Sequence, residues 1–332
     1  CLMMYLPFRI IFNAPFPTAI GIIIFAGIFT VGIYMLLKFI AEKKYPDTSI
    51  GSYLLLSFVF VNCCGAMFLV KRPDFYGIPI ITGMSFVIWG VFCWLRSFDS
   101  KRTKTLMFFG SLFMALAVGC RPQFALLSFT AIPIFFERYL KNKGLRKKGS
   151  FRELAVLGSP YIAVAALLCI YNYLRFGSPF DFGSTYNLTT NDVTARGFDP
   201  GRTGLGIFTY LFQTPVFTAT FPFIKKVGID TNYIGKTVRE NCFGGLITSL
   251  PVLWFLFAVK GVSKKLKEKK MLASTLLFIA LGFLIVIADT QAGGLLQRYF
   301  SDFGFVFFLA VYPIILSLIE KYDSDREKKN LL

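Results

Sequence analysis

The chain has 332 residues, 55% hydrophobic and 17% aromatic, with a mean hydropathy of +0.62; a soluble domain carries about 45–50% apolar residues, so composition excludes an ordinary soluble globule and points to membrane spans with short polar loops. The formal net charge of +18 does not mark a nucleic-acid binder, because most Lys and Arg sit in short runs between apolar segments, as topology signals do. The chain contains no histidine, which excludes His-based triads, His general bases and His-containing zinc sites.

Residues 1–17, with Pro7, Pro15 and Pro17, read as the end of an earlier helix followed by a re-entrant or interfacial piece. The sequence starts at Cys1, and CLMMYLPF is an apolar continuation rather than the polar tether of a lipoprotein. The expectation is a fragment whose N-terminal part is missing. Apolar stretches long enough to span, or nearly so, then fall at 18–41, 50–70, 76–95, 105–119, 123–140, 153–174, 243–259, 271–289 and 300–319. A span needs about 20 residues. The 105–119 stretch is short, and its GCRPQ link, with Pro122, predicts a tight helical hairpin with the next stretch.

The expected fold is therefore all-α, a polytopic transmembrane helical bundle of about nine spans. Transmembrane helices occupy 1–174, an extracytoplasmic loop region 175–242, further transmembrane helices 243–320, and a cytoplasmic tail 321–332. No internal repeat is visible, which disfavours a typical secondary transporter. The seven cysteines lie mostly in apolar runs without metal-ligand spacing and read as small packing residues.

Orientation follows from the basic residues, which divide 24 to 12 between alternate loops. The richer set includes Lys43 and Lys44, Arg96 to Lys104, the runs KNKGLRKKGSFR and KGVSKKLKEKK, and the tail. The positive-inside rule makes that set cytoplasmic, where it also touches anionic lipid headgroups, and turns 175–242 outward. In that loop, FTYLFQTPVFTATFPFIKK is apolar enough to lie on the membrane surface or form a short helix there.

Charges on the outward side are the informative ones, because topology does not require them. Lys71, Arg72, Asp74 and Tyr76 fall in KRPDFYG between two spans, Arg121 caps the hairpin, and Asp289 ends the span before the last. Gln297 and Arg298 open the last span. Arg298 and Asp302 lie four apart, which places them on one helix face. Arginines at a membrane interface suit an anionic lipid headgroup, a phosphate above all, because the guanidinium offers a planar donor fork and stays charged. The plain alternative is snorkelling basic side chains with neutralising partners. In RFGSPFDFGSTYN, Arg175, Asp181 and Tyr186 form one wall of a sugar or headgroup pocket in the functional reading, while Gly177, Pro179 and Gly183 turn the chain. Asp192, Arg196 and Arg202 are weaker pocket candidates. GRTGLG at 201–206 lacks the lysine spacing of a phosphate loop and follows no convincing strand. Asn187-Leu188-Thr189 is a glycosylation sequon.

In this order between spans, YLPFRIIFNAPFPT, KRPDFYG, GCRPQ, YNYLRFGSPFDFGSTYNLT and LLQRYFSDF resemble bacterial membrane glycosyltransferases of the GT-C superfamily. They are nearest the group of protein O-mannosyltransferases and lipid A aminoarabinose transferases. The resemblance runs over nearly the whole chain and rests on short recurring patterns, of which RFGSPFDFG and QRY followed by Asp302 are the most telling. It implies an enzyme of the bacterial plasma membrane that moves a sugar from a polyprenyl-phosphate carrier to an extracytoplasmic lipid, glycan or protein. It also implies a catalytic carboxylate in the first outward loop, expected upstream of Cys1, so the catalytic residue is unknown here. Gly77 stands where relatives often carry an acidic residue after Tyr. The resemblance fixes no cofactor; some relatives use a divalent metal, to which Asp74 or Asp302 would contribute. The competing reading is a lipid or polysaccharide translocase without catalysis, which would need polar residues deep in several spans.

Overall fold

The computed structural model describes residues 2–141, 150–183, 186, 197–229 and 239–330. The described chain is mostly helical. In order, the elements are α1 (Leu2–Phe12), α2 (Thr18–Lys44), α3 (Ile50–Cys63), α4 (Ala66–Lys71), α5 (Gly77–Arg96), α6 (Thr103–Cys120), a 3-10 stretch Pro122–Thr130, α7 (Ala131–Phe136), a π turn Glu137–Lys141 and α8 (Ser150–Phe176). There follow α9 (Pro200–Ile207), a π turn Phe208–Phe212, strands β1 (Val216–Phe217) and β2 (Ile224–Lys225), α10 (Leu246–Ser249), a 3-10 stretch Pro251–Val262, α11 (Ser263–Glu268), α12 (Leu272–Ala292), a 3-10 turn Gln297–Tyr299 and α13 (Phe300–Asn330).

Six helices are long and apolar enough to cross a membrane: Thr18–Lys44, Gly77–Asp99, Thr103–Cys120, Ser150–Phe176, Leu272–Ala292 and Gln297–Asp323, the second and last including short 3-10 turns at their ends. α8 is apolar yet scarcely buried, with Ile162, Leu167, Ile170 and Leu174 all open. Such a helix is at home in hydrocarbon rather than water. The chain is thus an α-helical integral membrane protein.

The other three apolar stretches are helical but interrupted. The 50–70 stretch breaks at Gly65, whose φ of +96° ends α3 and starts α4. This left-handed backbone suits glycine because it has no Cβ to clash. The 123–140 stretch changes from 3-10 to α to π, beginning at Pro122, and the 243–259 stretch divides at Pro251. Each proline opens its segment, where a missing N–H costs least.

The chain divides into two compact units, Cys1–Ala166 with Ile319–Leu332, and Leu167–Leu318. α5 is the hub of the first, buried along most of its length. Small residues let its neighbours close in. A Cβ on Gly32 of α2 would lie 2.9 Å from Trp89 Nε1, and one on Gly90 of α5 would lie 3.1 Å from the Gly110 carbonyl of α6. Polar side chains tie the same helices: Ser85 Oγ donates to the Phe25 carbonyl (2.9 Å), Trp89 Nε1 to that of Ile28 (3.0 Å), and Trp94 Nε1 to Ser111 Oγ (3.2 Å). Arg138 holds Glu153 through two bonds, Nε to Oε2 (3.0 Å) and Nη2 to Oε1 (2.6 Å), with the Tyr139 hydroxyl donating to Oε2 (2.7 Å). That pair clamps the start of α8 to the π turn across the basic run.

In the second unit α13 is buried almost continuously from Phe300 to Ser317. Gly282 of α12 admits the Phe307 ring, which would lie 2.7 Å from a Cβ there. The 208–226 segment, expected to lie on the membrane surface or to form a short helix there, is not one helix: a π turn is followed by an antiparallel hairpin, in which Val216 pairs with Lys225 and Phe217 with Ile224. Pro215 and Pro222 bar a continuous helix, and β-branched Val216, Thr218 and Thr220 favour extended backbone.

Candidate functional site

The residues singled out from sequence fall into both units, and each unit is described by itself. In the first, Lys71 ends α4 and Arg72 follows it. Asp74 Oδ1 accepts the Gly77 N–H (2.6 Å), so Asp74 satisfies an orphan donor at the start of α5. Arg72 Nε lies 4.0 Å from Asp74 Oδ2, with the Arg72 side chain 61% exposed. An ion pair so open is worth little. Tyr76 is exposed, and its ring meets Phe75 edge-on. Arg121 leaves α6 in extended conformation just before Pro122, as the hairpin reading expects. A Cβ on Gly83 would lie 2.7 Å from the Phe124 ring and 3.4 Å from Cys120 Cβ. Gly83 is six residues from Gly77, or about 9 Å along the helix axis. KRPDFYG and GCRPQ therefore lie at one end of the first unit.

In the second unit, RFGSPFDFG folds as the structural reading has it. Gly177 and Gly183 have φ of +75° and +77°. Asp181 Oδ1 accepts the Gly183 N–H (2.7 Å), and Arg175 Nη1 donates to the Tyr171 hydroxyl (2.7 Å) while its guanidinium lies 5.0 Å from the Phe176 ring centre. Tyr186 stacks on Phe176 at 5.3 Å. These side chains close a turn on the end of α8. Asn187 to Thr189, Asp192 and Arg196 lie outside the described residues.

The 293–299 connection between α12 and α13 is built differently. Tyr210, fully buried, donates its hydroxyl to the Gly294 carbonyl (2.8 Å) and accepts the Leu296 N–H (2.8 Å). Burial, with the Asp289 charge adding to it, pushes that hydroxyl well above its ordinary pKa, so it remains a donor. Gly293 leaves room for the Tyr299 ring. Alongside runs the 239–240 backbone: Arg239 bridges Leu295 in parallel, and the Glu240 N–H donates to the Leu295 carbonyl (2.8 Å).

This places Glu240 against Arg298. Arg298 Nη1 donates to Glu240 Oε1 at 2.5 Å, and the two side chains are only 17% and 19% exposed. The guanidinium also lies 5.6 Å from the Tyr299 ring centre. Beside the pair, two oxygens, Glu240 Oε2 and Gln297 Oε1, are buried with no hydrogen-bond donor among the described residues. Asp302 is fully buried in the first turn of α13 and Asp289 is buried near the end of α12. The shared helix face expected of Arg298 and Asp302 is altered, because Arg298 sits in the 3-10 turn that precedes α13.

The GRTGLG segment packs rather than cradles. Asp199 Oδ1 accepts the Gly201 N–H (2.8 Å), Pro200 opens α9, and Gly206 has no room for a Cβ against Thr290 of α12. Gln291 Nε2 donates to the Asp199 carbonyl (2.7 Å) and to Thr203 Oγ1 (3.0 Å). Arg202 Nε lies 3.9 Å from Asp199 Oδ2. Among the described residues, no three Cys, Asp or Glu side chains gather where a metal ion could sit.

Sequence reasoning missed Glu240 and Tyr210. One signal was present: Glu240 is the single glutamate in 175–242. Tyr210 carries no such mark among 15 tyrosines. What the second unit defines is a membrane protein with a shielded arginine–carboxylate pair between two apolar helices. No protein-family model, no curated protein and no solved structure matches the chain.

Proposed function

We propose that the protein is a membrane glycosyltransferase of the GT-C kind, acting on a polyprenyl-phosphate-linked sugar on the extracytoplasmic face of a bacterial plasma membrane. The observation that carries this reading is the Arg298–Glu240 pair, shielded from solvent at the junction of α12 and α13. A guanidinium held in place at low exposure binds a phosphate with little reorganisation and stabilises charge that grows on it as a sugar departs. Glu240 Oε2 and Gln297 Oε1, acceptors buried without donors among the described residues, suit hydroxyl groups of a sugar. The motif resemblance of RFGSPFDFG and QRY supports the same class. The acceptor is a lipid, glycan or protein.

The test is binding of a polyprenyl phosphate to the purified chain in nanodiscs. Arg298→Ala weakens binding by at least about tenfold, the loss of one charge-assisted contact, while Arg298→Lys retains part of it. Equal affinity in wild type and Arg298→Ala would refute the assignment. A second reading, translocation without transfer, rests on the buried carboxylates of Asp289 and Asp302 in membrane-length helices, since such residues often line transport paths. Flipping of a labelled carrier across vesicles without sugar transfer would favour it.

A further inference from the structure

We propose that the β1–β2 hairpin is a lipid-contacting finger whose aromatic tip enters the interfacial layer of the bilayer while a basic root meets anionic headgroups. This inference is independent of the glycosyltransferase reading. The ribbon runs from Val216 to Lys225, with Val216 opposite Lys225 at its root and Phe217 opposite Ile224 one step out. Its turn is ordered by its own backbone: the Thr218 N–H donates to the Phe223 carbonyl (2.9 Å), and the Phe223 N–H to that of Thr220 (2.8 Å). The ribbon and its turn present Phe217, Phe221 and Phe223 at 71%, 86% and 55% exposure. Three open phenylalanines on a short ribbon are unfavourable in water, whereas aromatic rings partition readily into the membrane interface.

Charge selects the lipid. Lys225 and Lys226 are exposed at the root, and no acidic residue occurs between Asp199 and Asp230. Apolar tip and basic base are the order in which a finger meets acyl chains and headgroup phosphates.

Position selects the depth. The chain on either side of the hairpin is pinned where an apolar helical stretch begins. The Gln213 carbonyl accepts the Gly245 N–H and Thr248 Oγ1, both at 2.6 Å, and the Val227 N–H donates to the Cys242 carbonyl at 2.8 Å. α10 and the Pro251–Val262 stretch follow at once, with Trp254 exposed. A root fixed at that border keeps the tip within reach of the interface, and α12, in the same unit, is of membrane length. A protein partner would need its own acidic surface and would leave no reason for the root to sit there.

The experiment uses the full chain with Phe221→Trp, reconstituted in vesicles with and without phosphatidylglycerol. The added emission is read as a difference from the parent, which carries Trp89, Trp94 and Trp254. It is expected to be blue-shifted and quenched by brominated lipids, more by bromine near the headgroup than deep in the chain. In anionic vesicles, Lys225→Glu with Lys226→Glu lowers that quenching by about twofold or more. Emission like that of tryptophan in water, quenched by aqueous iodide and not by brominated lipid, would overturn the proposal. So would a blue shift without lipid quenching, which would place the tip against a protein or a second copy. Quenching indifferent to the lysine changes in anionic vesicles would remove the basic root.

Discussion

Arg298 and Glu240 meet across 58 residues of sequence, guanidinium Nη1 on carboxylate Oε1, with both side chains largely hidden from solvent. Neither residue is placed by its own helix. Arg298 is carried by a turn that Tyr210 clasps, and Glu240 by backbone that runs beside Leu295. Removing one partner strands the other charge, so Glu240→Gln should destabilise the protein by about 1.5–3 kcal/mol, the range of a hydrogen bond to a charged group. Thermal unfolding in detergent checks this, and the double substitution with Arg298→Ala should cost less than the sum of the two. Additive losses would show that the pair does not couple.

Tyr210→Phe keeps the ring and deletes only the hydroxyl. The buried Leu296 N–H then loses its acceptor and the Gly294 carbonyl its donor, at a cost of about 1–3 kcal/mol. Because the clasp holds the 293–299 turn, carrier binding at Arg298 should weaken as well. A variant that melts lower yet binds normally would separate the clasp from the site.

α9 depends on a glycine contact. Gly206→Ala pushes a methyl into Thr290 of α12 and should cost about 1–3 kcal/mol, the usual penalty for overpacking. Thr290→Ala removes the outer atoms of the clash, so the double variant should recover part of the loss in the same melting assay.

Cys242 offers a pH test outside the spans. Burial pushes its thiol up to about 11, with the Glu240 charge contributing. The folded state therefore keeps a proton that the unfolded chain releases near the ordinary thiol value of about 8.5. Stability from this source is complete below that value and is lost as pH rises from there toward about 11. Cys242→Ser should flatten that part of the stability–pH curve. Maleimide should label Cys242 in the native protein at pH 8 far more slowly than after unfolding.

The charge count predicts orientation directly. A tag placed in 141–149, within the richest basic run, should be protected from protease added outside intact cells. Cleavage there would reverse the topology.

Much of the molecule was legible in the chain itself. Span length and apolarity locate α2, α5, α6, α8, α12 and α13, because a membrane imposes a length and a composition that hardly depend on neighbours. Pro122 marked the hairpin link, and Gly177 and Gly183 the turn after α8, since each residue carries its backbone constraint with it. QRY drew attention to Arg298, but Asp302, four residues on, stood as its natural companion. The pairing with Glu240, the Tyr210 clasp and the folding of 208–226 into an aromatic-tipped hairpin were decided only in three dimensions. Local sequence records what each backbone can do and how greasy each stretch is; which distant carboxylate faces a given arginine depends on strand-like contacts such as Arg239 with Leu295. Those contacts form between segments whose own sequences do not specify each other.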